Sequence, residues 1–130
     1  MVLIQLNNRG KLGVNPYTAA KRFAAAMFYL HDYERSCFRE RYRCALNRDV
    51  GGGAYRESWE DVAIQDASDR YLAASRLLDE KKVSEVCRYV IIEDKKPKQI
   101  LGNNAGAARY KKFYKDLCAG LDVLIVYYGV

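Results

Sequence analysis

Positive charge is concentrated in one stretch of the chain, and phosphate binding is the chemistry that such a stretch could perform. Residues 81–115 carry ten basic and three acidic side chains, a net charge of +7, whereas residues 1–80 carry twelve basic and eleven acidic ones, a net charge of +1. Lysine and arginine neutralise phosphates, so this distribution favours nucleic-acid binding in the basic stretch. A solvated basic face is the alternative that composition alone leaves open.

The basic stretch also has the pattern of a helix-turn-helix. Pro97 can open a short helix that ends before Gly102, a glycine placed as its C′ residue. Residues 103–106 are turn formers, and a helix is predicted over 107–128 with all its basic residues at the N-terminal end. That end of a recognition helix enters the major groove of DNA. The candidate nucleic-acid-binding residues are Lys95, Lys96, Lys98, Asn103, Asn104, Arg109, Lys111, Lys112 and Lys115.

The position of each candidate predicts its role. The three lysines before and within the short helix are expected to contact phosphates. Asn103 and Asn104, in the turn, could pair bidentately with adenine in the major groove. Arg109 and Lys112 are expected to make the best base or phosphate contacts, and the other two lysines of the long helix to contact the DNA backbone.

The remaining reactive residues show no catalytic or metal-binding spacing. The cysteines contain no C-x-x-C pair, and the single histidine, His31, is near none of them in sequence, so zinc spacing is absent. We expect buried, reduced thiols at Cys37, Cys44, Cys87 and Cys118. The glycines at 51–53 lack a following Lys-Ser/Thr and are interpreted as a linker. We expect no cofactor, no metal and no enzymatic activity.

Helix signals divide the chain into three segments. Asn15-Pro16 is a good N-cap and first turn for a helix that runs toward Leu46, with a break considered near residues 35–36. A second helix over 58–80, capped by Ser58, is expected to pack antiparallel on the first, and Ser84 is expected to cap a third. The predicted fold is all-α, a helical bundle with a C-terminal helix-turn-helix. Its segments are an N-terminal arm at 1–14, a helical hairpin with a Gly-rich loop at 15–82, and a helix-turn-helix-like unit at 83–130.

The predicted last helix has one continuous apolar stripe. The stripe consists of Tyr110, Phe113, Leu117, Leu121, Leu124 and Tyr128. Residues 123–128 are apolar on both faces, which indicates full burial or a self-association surface, and a strand is the minor alternative. A homodimer through this helix is therefore considered.

Two C-terminal segments resemble the helix-turn-helix of sigma-factor-like and phage regulators. They are Lys96-Pro97-Lys98-Gln99-Ile100-Leu101-Gly102 and Leu121-Asp122-Val123-Leu124-Ile125-Val126-Tyr127-Tyr128-Gly129. Leu101 stands where alanine is usual, and Asn103-Asn104-Ala105-Gly106 replaces the usual Ser/Thr cap. The whole chain is similar to small proteins of bacterial prophages. The resemblance implies a non-enzymatic, phage-related transcription regulator that binds double-stranded DNA.

The expected location is the cytoplasm of a bacterial host cell. No apolar run reaches about 18 residues, the minimum for a membrane span, so no membrane partner is expected. The first six residues lack the basic n-region and long apolar h-region of a signal peptide.

A different class of function remains open from the sequence alone. A small phage-encoded helical protein could inhibit a host protein, for example a defence nuclease, with its basic face on an acidic surface. Two further hypotheses concern a tyrosine pair and a row of arginines. Tyr110 and Tyr114 could stack on single-stranded bases, although core packing is favoured for at least one. Arg35, Arg39 and Arg43 could form a second phosphate-facing row, although a solvated, salt-bridged face is favoured.

Overall fold

The computed structural model describes the backbone of residues 1–48 and 59–130 and the side chains of 1–37 and 62–130, and every regular element in these ranges is helical. The elements are α1 (Val2–Asn8), α2 (Pro16–Arg48), α3 (Trp59–Glu80), α4 (Ser84–Cys87), α5 (Pro97–Leu101) and α6 (Ala107–Tyr128). A π-helical turn, Arg88–Ile92, continues directly from α4. The predicted all-α class is confirmed. The Gly-rich linker and the Ser58 cap lie outside the described residues.

The start of α2 follows the predicted signals. Pro16 occupies the first helical position, where its missing N–H costs nothing, and Asn15 Oδ1 accepts a hydrogen bond from the Tyr17 N–H at 2.9 Å. The helix then continues to Arg48 without the break considered near residue 35. Ser36 is accommodated because its hydroxyl donates to the Tyr33 carbonyl oxygen at 2.7 Å, within the preceding turn.

Helix α3 packs antiparallel on α2, as predicted. The Tyr29 and Ser75 hydroxyl oxygens are 2.8 Å apart, and Arg70 donates to Asp32 at 3.0 Å, so residue numbers fall along α3 as they rise along α2. Part of the α3 face that packs on α2 consists of small residues, because Ala67 and Ala74 are fully buried there. Val62, near the start of α3, is 42% exposed.

Helix α6 lies beside α2 in the parallel sense. Arg22 pairs with Asp122 near one end of the contact, and Asp32 accepts a hydrogen bond from the Tyr128 hydroxyl at 2.9 Å near the other. The predicted stripe is confirmed, because Phe113, Leu117, Leu121 and Leu124 are buried and the two terminal tyrosines are half-buried. The three predicted segments of the chain thus share one core.

A glycine permits the close approach of α6 to α4. Gly120 is buried, and a Cβ atom built there would lie 2.3 Å from Cys87 Sγ and 3.2 Å from Val83 Cγ2. Both distances are shorter than a normal van der Waals contact, so a larger residue at 120 would push the helices apart. The cap predicted for α4 differs in detail: the N-cap position is Val83, with no side-chain cap, and Ser84 is the first helical residue.

A buried carboxylate joins the three long helices. Asp32 is 4% exposed and accepts hydrogen bonds from Arg70 of α3 and Tyr128 of α6. Burial, and then the hydrogen bond to Asp32, raises the pKa of the Tyr128 hydroxyl above its ordinary value. Burial likewise raises the pKa of Tyr29, which lies in the same layer. An unpaired buried charge is costly, so both partners of Asp32 matter for stability.

The segment predicted as an arm contains helix α1, and this helix is attached to the basic stretch. Val2, Leu3 and Leu6 are buried in the common core, whereas Ile4 is 46% exposed. The Val2 N–H at the start of α1 donates to Asp94 Oδ1 at 2.6 Å. Asp94 has a positive φ of 54°, a conformation that aspartate tolerates better than most residues. The loop before α5 is therefore fixed by α1.

Candidate nucleic-acid interface

Helix α5 and the turn after it form as the sequence predicts. Pro97 is the first residue of α5, and Gln99 Oε1 accepts the Lys96 N–H at 2.9 Å, which is one half of a capping box. Gly102 ends the helix with φ = 87°, and its N–H donates to the Lys98 carbonyl oxygen at 2.9 Å. A short helix, a five-residue turn and a long helix thus follow one another.

The first turns of α6, residues 107–112, project beyond the part of the helix that is buried in the core. None of residues 107–112 is buried, and the first buried side chain of the helix is Phe113. Gly106 is the N-cap residue and supplies no side-chain hydrogen bond, in place of the Ser/Thr cap that is usual in the regulators named above. The first turns of α6 are therefore available to a partner.

All nine candidate residues are exposed to solvent. Among the described side chains, Lys95 is the only candidate with an ion-pair partner: its Nζ lies 3.7 Å from Glu93 Oε1 and 4.8 Å from the Tyr89 ring centroid. Exposed cations that have no internal partner are free to contact an anionic ligand. Asn103 and Asn104, in the exposed turn, precede the projecting helix as predicted.

Three of the candidates line one groove. Lys95, Arg109 and Lys112 border a groove of about 620 Å³ between α4 with its π-helical turn, α5 and α6. Its floor includes Tyr89 and Phe113, and two carboxylates, those of Glu85 and Asp116, lie among the cations. The other six candidates lie outside this groove and do not line it.

The opposite flank of α6 has a neighbouring cation, Lys11, that was not among the predicted candidates. Successive residues of an α-helix are about 100° apart, so Lys111 lies away from the groove, about 60° from Tyr114, whereas Lys115 lies between the two flanks. Lys11 approaches this side from the α1–α2 connection, with its Nζ 5.1 Å from the Tyr114 ring centroid. Burial raises the pKa of Tyr114, and the nearby charge of Arg9 partly opposes that shift.

Nothing local in the sequence could reveal this second cluster. Lys11 and Tyr114 are about a hundred positions apart, and only the packing of the α1–α2 connection on α6 brings them together. Tyr110 and Tyr114 are both half-buried, so neither is a fully exposed stacking platform. Arg35 is exposed, but the side chains of Arg39 and Arg43 lie outside the described residues.

The described cysteines form no disulfide, and two of them have raised pKa values. Cys37, Cys87 and Cys118 are unbridged. Cys87 is fully buried as expected, whereas Cys37 and Cys118 are only half-buried, and the side chain of Cys44 is outside the described ranges. Burial raises the pKa of the Cys87 thiol to about 12 and also raises that of Cys118. These two thiols stay protonated near neutral pH and are weak nucleophiles.

Metal-ligand groups and membrane-spanning helices are both absent from the described part of the chain. No group of three or more His, Cys, Asp or Glu residues in this part is placed to hold a metal ion. No helix in it combines the length and apolar character that a membrane span requires.

Comparisons with protein-family models, with curated proteins and with solved structures give no match to this chain. The function of the basic surface must therefore be inferred from its own residues.

Proposed function

We propose that this chain is a non-enzymatic protein that binds double-stranded DNA, with α5 and the first turns of α6 as its helix-turn-helix. The observation that carries the proposal is the state of residues 107–112: none is buried, and Arg109, Lys111 and Lys112 are all exposed there. An amphipathic core helix buries an apolar stripe, whereas this end of α6 buries none of its six residues and presents three cations, which makes it a candidate surface for an anionic partner.

The dimensions of the projecting end suit a duplex. An α-helix with its side chains is about 10–12 Å across, and the major groove of B-DNA is about 12 Å wide. The N-terminal residues of a recognition helix are the ones that reach base edges. Arg109 and Lys112 would then face bases or the nearest phosphates, and Asn103 and Asn104 would lie at the entrance to the major groove of the DNA.

The lysines before and within α5 would hold α6 in position on the DNA. Lys96 and Lys98 are exposed, and Lys95 is held near Glu93 and Tyr89. Phosphate contacts set the register of a protein on DNA and carry no sequence information themselves. Because Asp94 links the loop before α5 to α1, the backbone that leads into these lysines is attached to the core.

The experiment is binding of the purified protein to a mixed-sequence duplex, followed by fluorescence anisotropy across a salt series. We expect the logarithm of the association constant to fall by about 0.9 per phosphate contact for each tenfold rise in salt. The variant K98A/R109A/K112A should lose affinity and flatten the salt dependence. The matched control K21A/R35A/R76A removes three cations from α2 and α3 and should bind like the wild type.

Absence of binding at low salt would contradict the proposal. The basic surface would then face an acidic protein, as in the alternative of a phage-encoded inhibitor of a host protein, and capture of a partner with the same two variants would test that. Transcription regulation and phage origin belong to the same proposal and rest on the resemblance of the α5–α6 segments.

A homodimer through α6 is a separate part of the proposal. Residues 123–128 are not all buried: Leu124 is in the core, whereas Val126 is 82% exposed. Many helix-turn-helix proteins bind two half-sites as dimers. Molar mass by light scattering, with and without DNA, tests this part directly.

A further inference from the structure

The projecting half of α6 has cations on both flanks, and the two sets come from different parts of the chain. On one flank Lys95, beside α5, joins Arg109 and Lys112 around the groove. On the other flank the Lys11 Nζ lies over the Tyr114 ring, and Arg9, which is also exposed, stands two residues before Lys11 at the end of α1. The exposed Lys111 of α6 is on the same side, about 60° from Tyr114 around the helix. Lys112 and Tyr114 are about 200° apart around the helix, so the flanks face nearly opposite directions.

The second flank is held in place by several contacts. Leu12 is fully buried, and its carbonyl oxygen accepts a hydrogen bond from Arg22, which also pairs with Asp122 of α6 at 2.8 Å. The Cys118 thiol donates to the Lys11 carbonyl oxygen at 3.6 Å. The backbone that carries Lys11 is therefore fixed against α6, and its cation is exposed at a defined place beside the helix.

We propose that Arg9 and Lys11 form a second phosphate-binding site, which contacts one strand of the duplex while Lys95 and its neighbours contact the other. This inference rests on the proposed function and extends it. A helix that fills a major groove has one phosphate backbone on each side, so cations on both flanks match a duplex. A single strand can meet only one flank. The major groove of A-form RNA is deep and narrow and excludes the helix.

The test compares salt dependence in matched variants. R9A/K11A removes the second site, and R35A/R76A removes two cations from the bodies of α2 and α3. R9Q/K11Q removes the two charges but keeps a polar side chain with part of the aliphatic stem at each position, and so guards against a change in folding. Each variant is titrated with the same mixed-sequence duplex, with its separated strand and with a duplex RNA of the same sequence.

We expect R9A/K11A and R9Q/K11Q to lower the salt slope for duplex DNA by about 1.8, which corresponds to two lost phosphate contacts. The loss should be similar for every duplex sequence, and R35A/R76A should keep the wild-type slope. Single-stranded DNA and duplex RNA should bind the wild type more weakly than duplex DNA does.

Two results would overturn the inference, and they differ from each other. If the wild type binds duplex DNA and both Arg9/Lys11 variants keep its salt slope, the second site is wrong and the proposed function stands. If the wild type binds no duplex DNA, the proposed function fails and the second site fails with it.

Discussion

The two halves of α6 share one helical backbone and differ in almost everything else. Residues 107–116 carry four cations and one carboxylate and bury only Phe113, whereas residues 117–128 carry Asp122 alone and bury Leu117, Gly120, Leu121 and Leu124. The second half is the part that α2, α3 and α4 cover. The first half has the groove beside α5 on one flank and Lys11 of the α1–α2 connection on the other. Its remaining face is exposed to solvent.

In the proposed function one helix serves two purposes: its second half packs in the core and its first half binds DNA. The buried half fixes the direction of the helix through packing, so the exposed half needs little packing of its own. A site on a rigid element is positioned more precisely than one on a loop. Substitutions in the buried half of α6 should accordingly lower stability, whereas substitutions of the exposed cations should lower DNA binding and leave stability nearly unchanged.

The largest stability effect is expected at Gly120. G120A places a Cβ atom 2.3 Å from Cys87 Sγ, far inside van der Waals contact. Such overpacking costs about 3 kcal/mol or more, and alanine regains only about 1 kcal/mol of helix propensity. Chemical denaturation measures the loss. C87A should recover part of it in the double variant, because it removes the sulfur that the new Cβ meets. Equal stability of G120A and the wild type would show that α6 and α4 are not so close.

The next effect concerns the carboxylate shared by three helices. Y128F removes the hydroxyl that donates to Asp32 and leaves a buried oxygen with one partner fewer, at a cost of about 1–3 kcal/mol. Y17F is the matched control, because Tyr17 is exposed and its ring lies at the far end of α2. Equal losses in both variants would contradict the role given to Asp32.

Alkaline pH should destabilise the protein through the same tyrosines. The pKa values of Tyr29 and Tyr128 are raised above the ordinary value of 10 in the folded state. Below pH 10 both states keep these protons, whereas above it the unfolded chain loses them first. The free energy of unfolding should therefore fall as pH rises above 10, by at most about 1.4 kcal/mol per pH unit per tyrosine. Y128F should show a shallower fall in pH-dependent denaturation, and an unchanged slope would contradict the raised pKa.

A smaller effect is expected where α1 meets the basic stretch. D94A removes the acceptor of the Val2 N–H, and the loss of such a cap costs about 1 kcal/mol. D94N keeps an oxygen acceptor and also tolerates positive φ, so it should retain most of the stability. Thermal melts of the two variants would measure this, and equal melting temperatures would show that the contact does not hold α1.

The helix boundaries could be predicted from the sequence, whereas the contacts between distant segments could not. The start of α2 at Pro16, the end of α5 at Gly102 and the apolar stripe of α6 follow from local signals, and all three are confirmed. The contacts that join Asp94 to Val2 and Lys11 to Tyr114 span about ninety residues or more. Residue periodicity carries no information about such pairs, so packing alone reveals them.

The position of Asp32 had a signal that could have been used. It lies seven residues after Ala25 and three after Tyr29, both buried, so helical spacing puts it on the same buried face. The sequence could thus have predicted a buried charge there, and only the fold could supply Arg70 and Tyr128 as its partners.

The smallest stability effect is expected in the exposed half. K98A/R109A/K112A changes three exposed side chains, and such substitutions usually alter the free energy of unfolding by less than about 0.5 kcal/mol. Chemical denaturation checks this. A loss as large as that of G120A would mean that the first half of α6 also supports the core.

The most direct test of the central claim is the salt slope of duplex-DNA binding for the wild type and K98A/R109A/K112A. If the first half of α6 neutralises phosphates, the wild type binds with a steep slope and the variant loses about 0.9 for each phosphate contact removed, up to about 2.7, while remaining folded. A wild type that does not bind, or a folded variant with the wild-type slope, would contradict it.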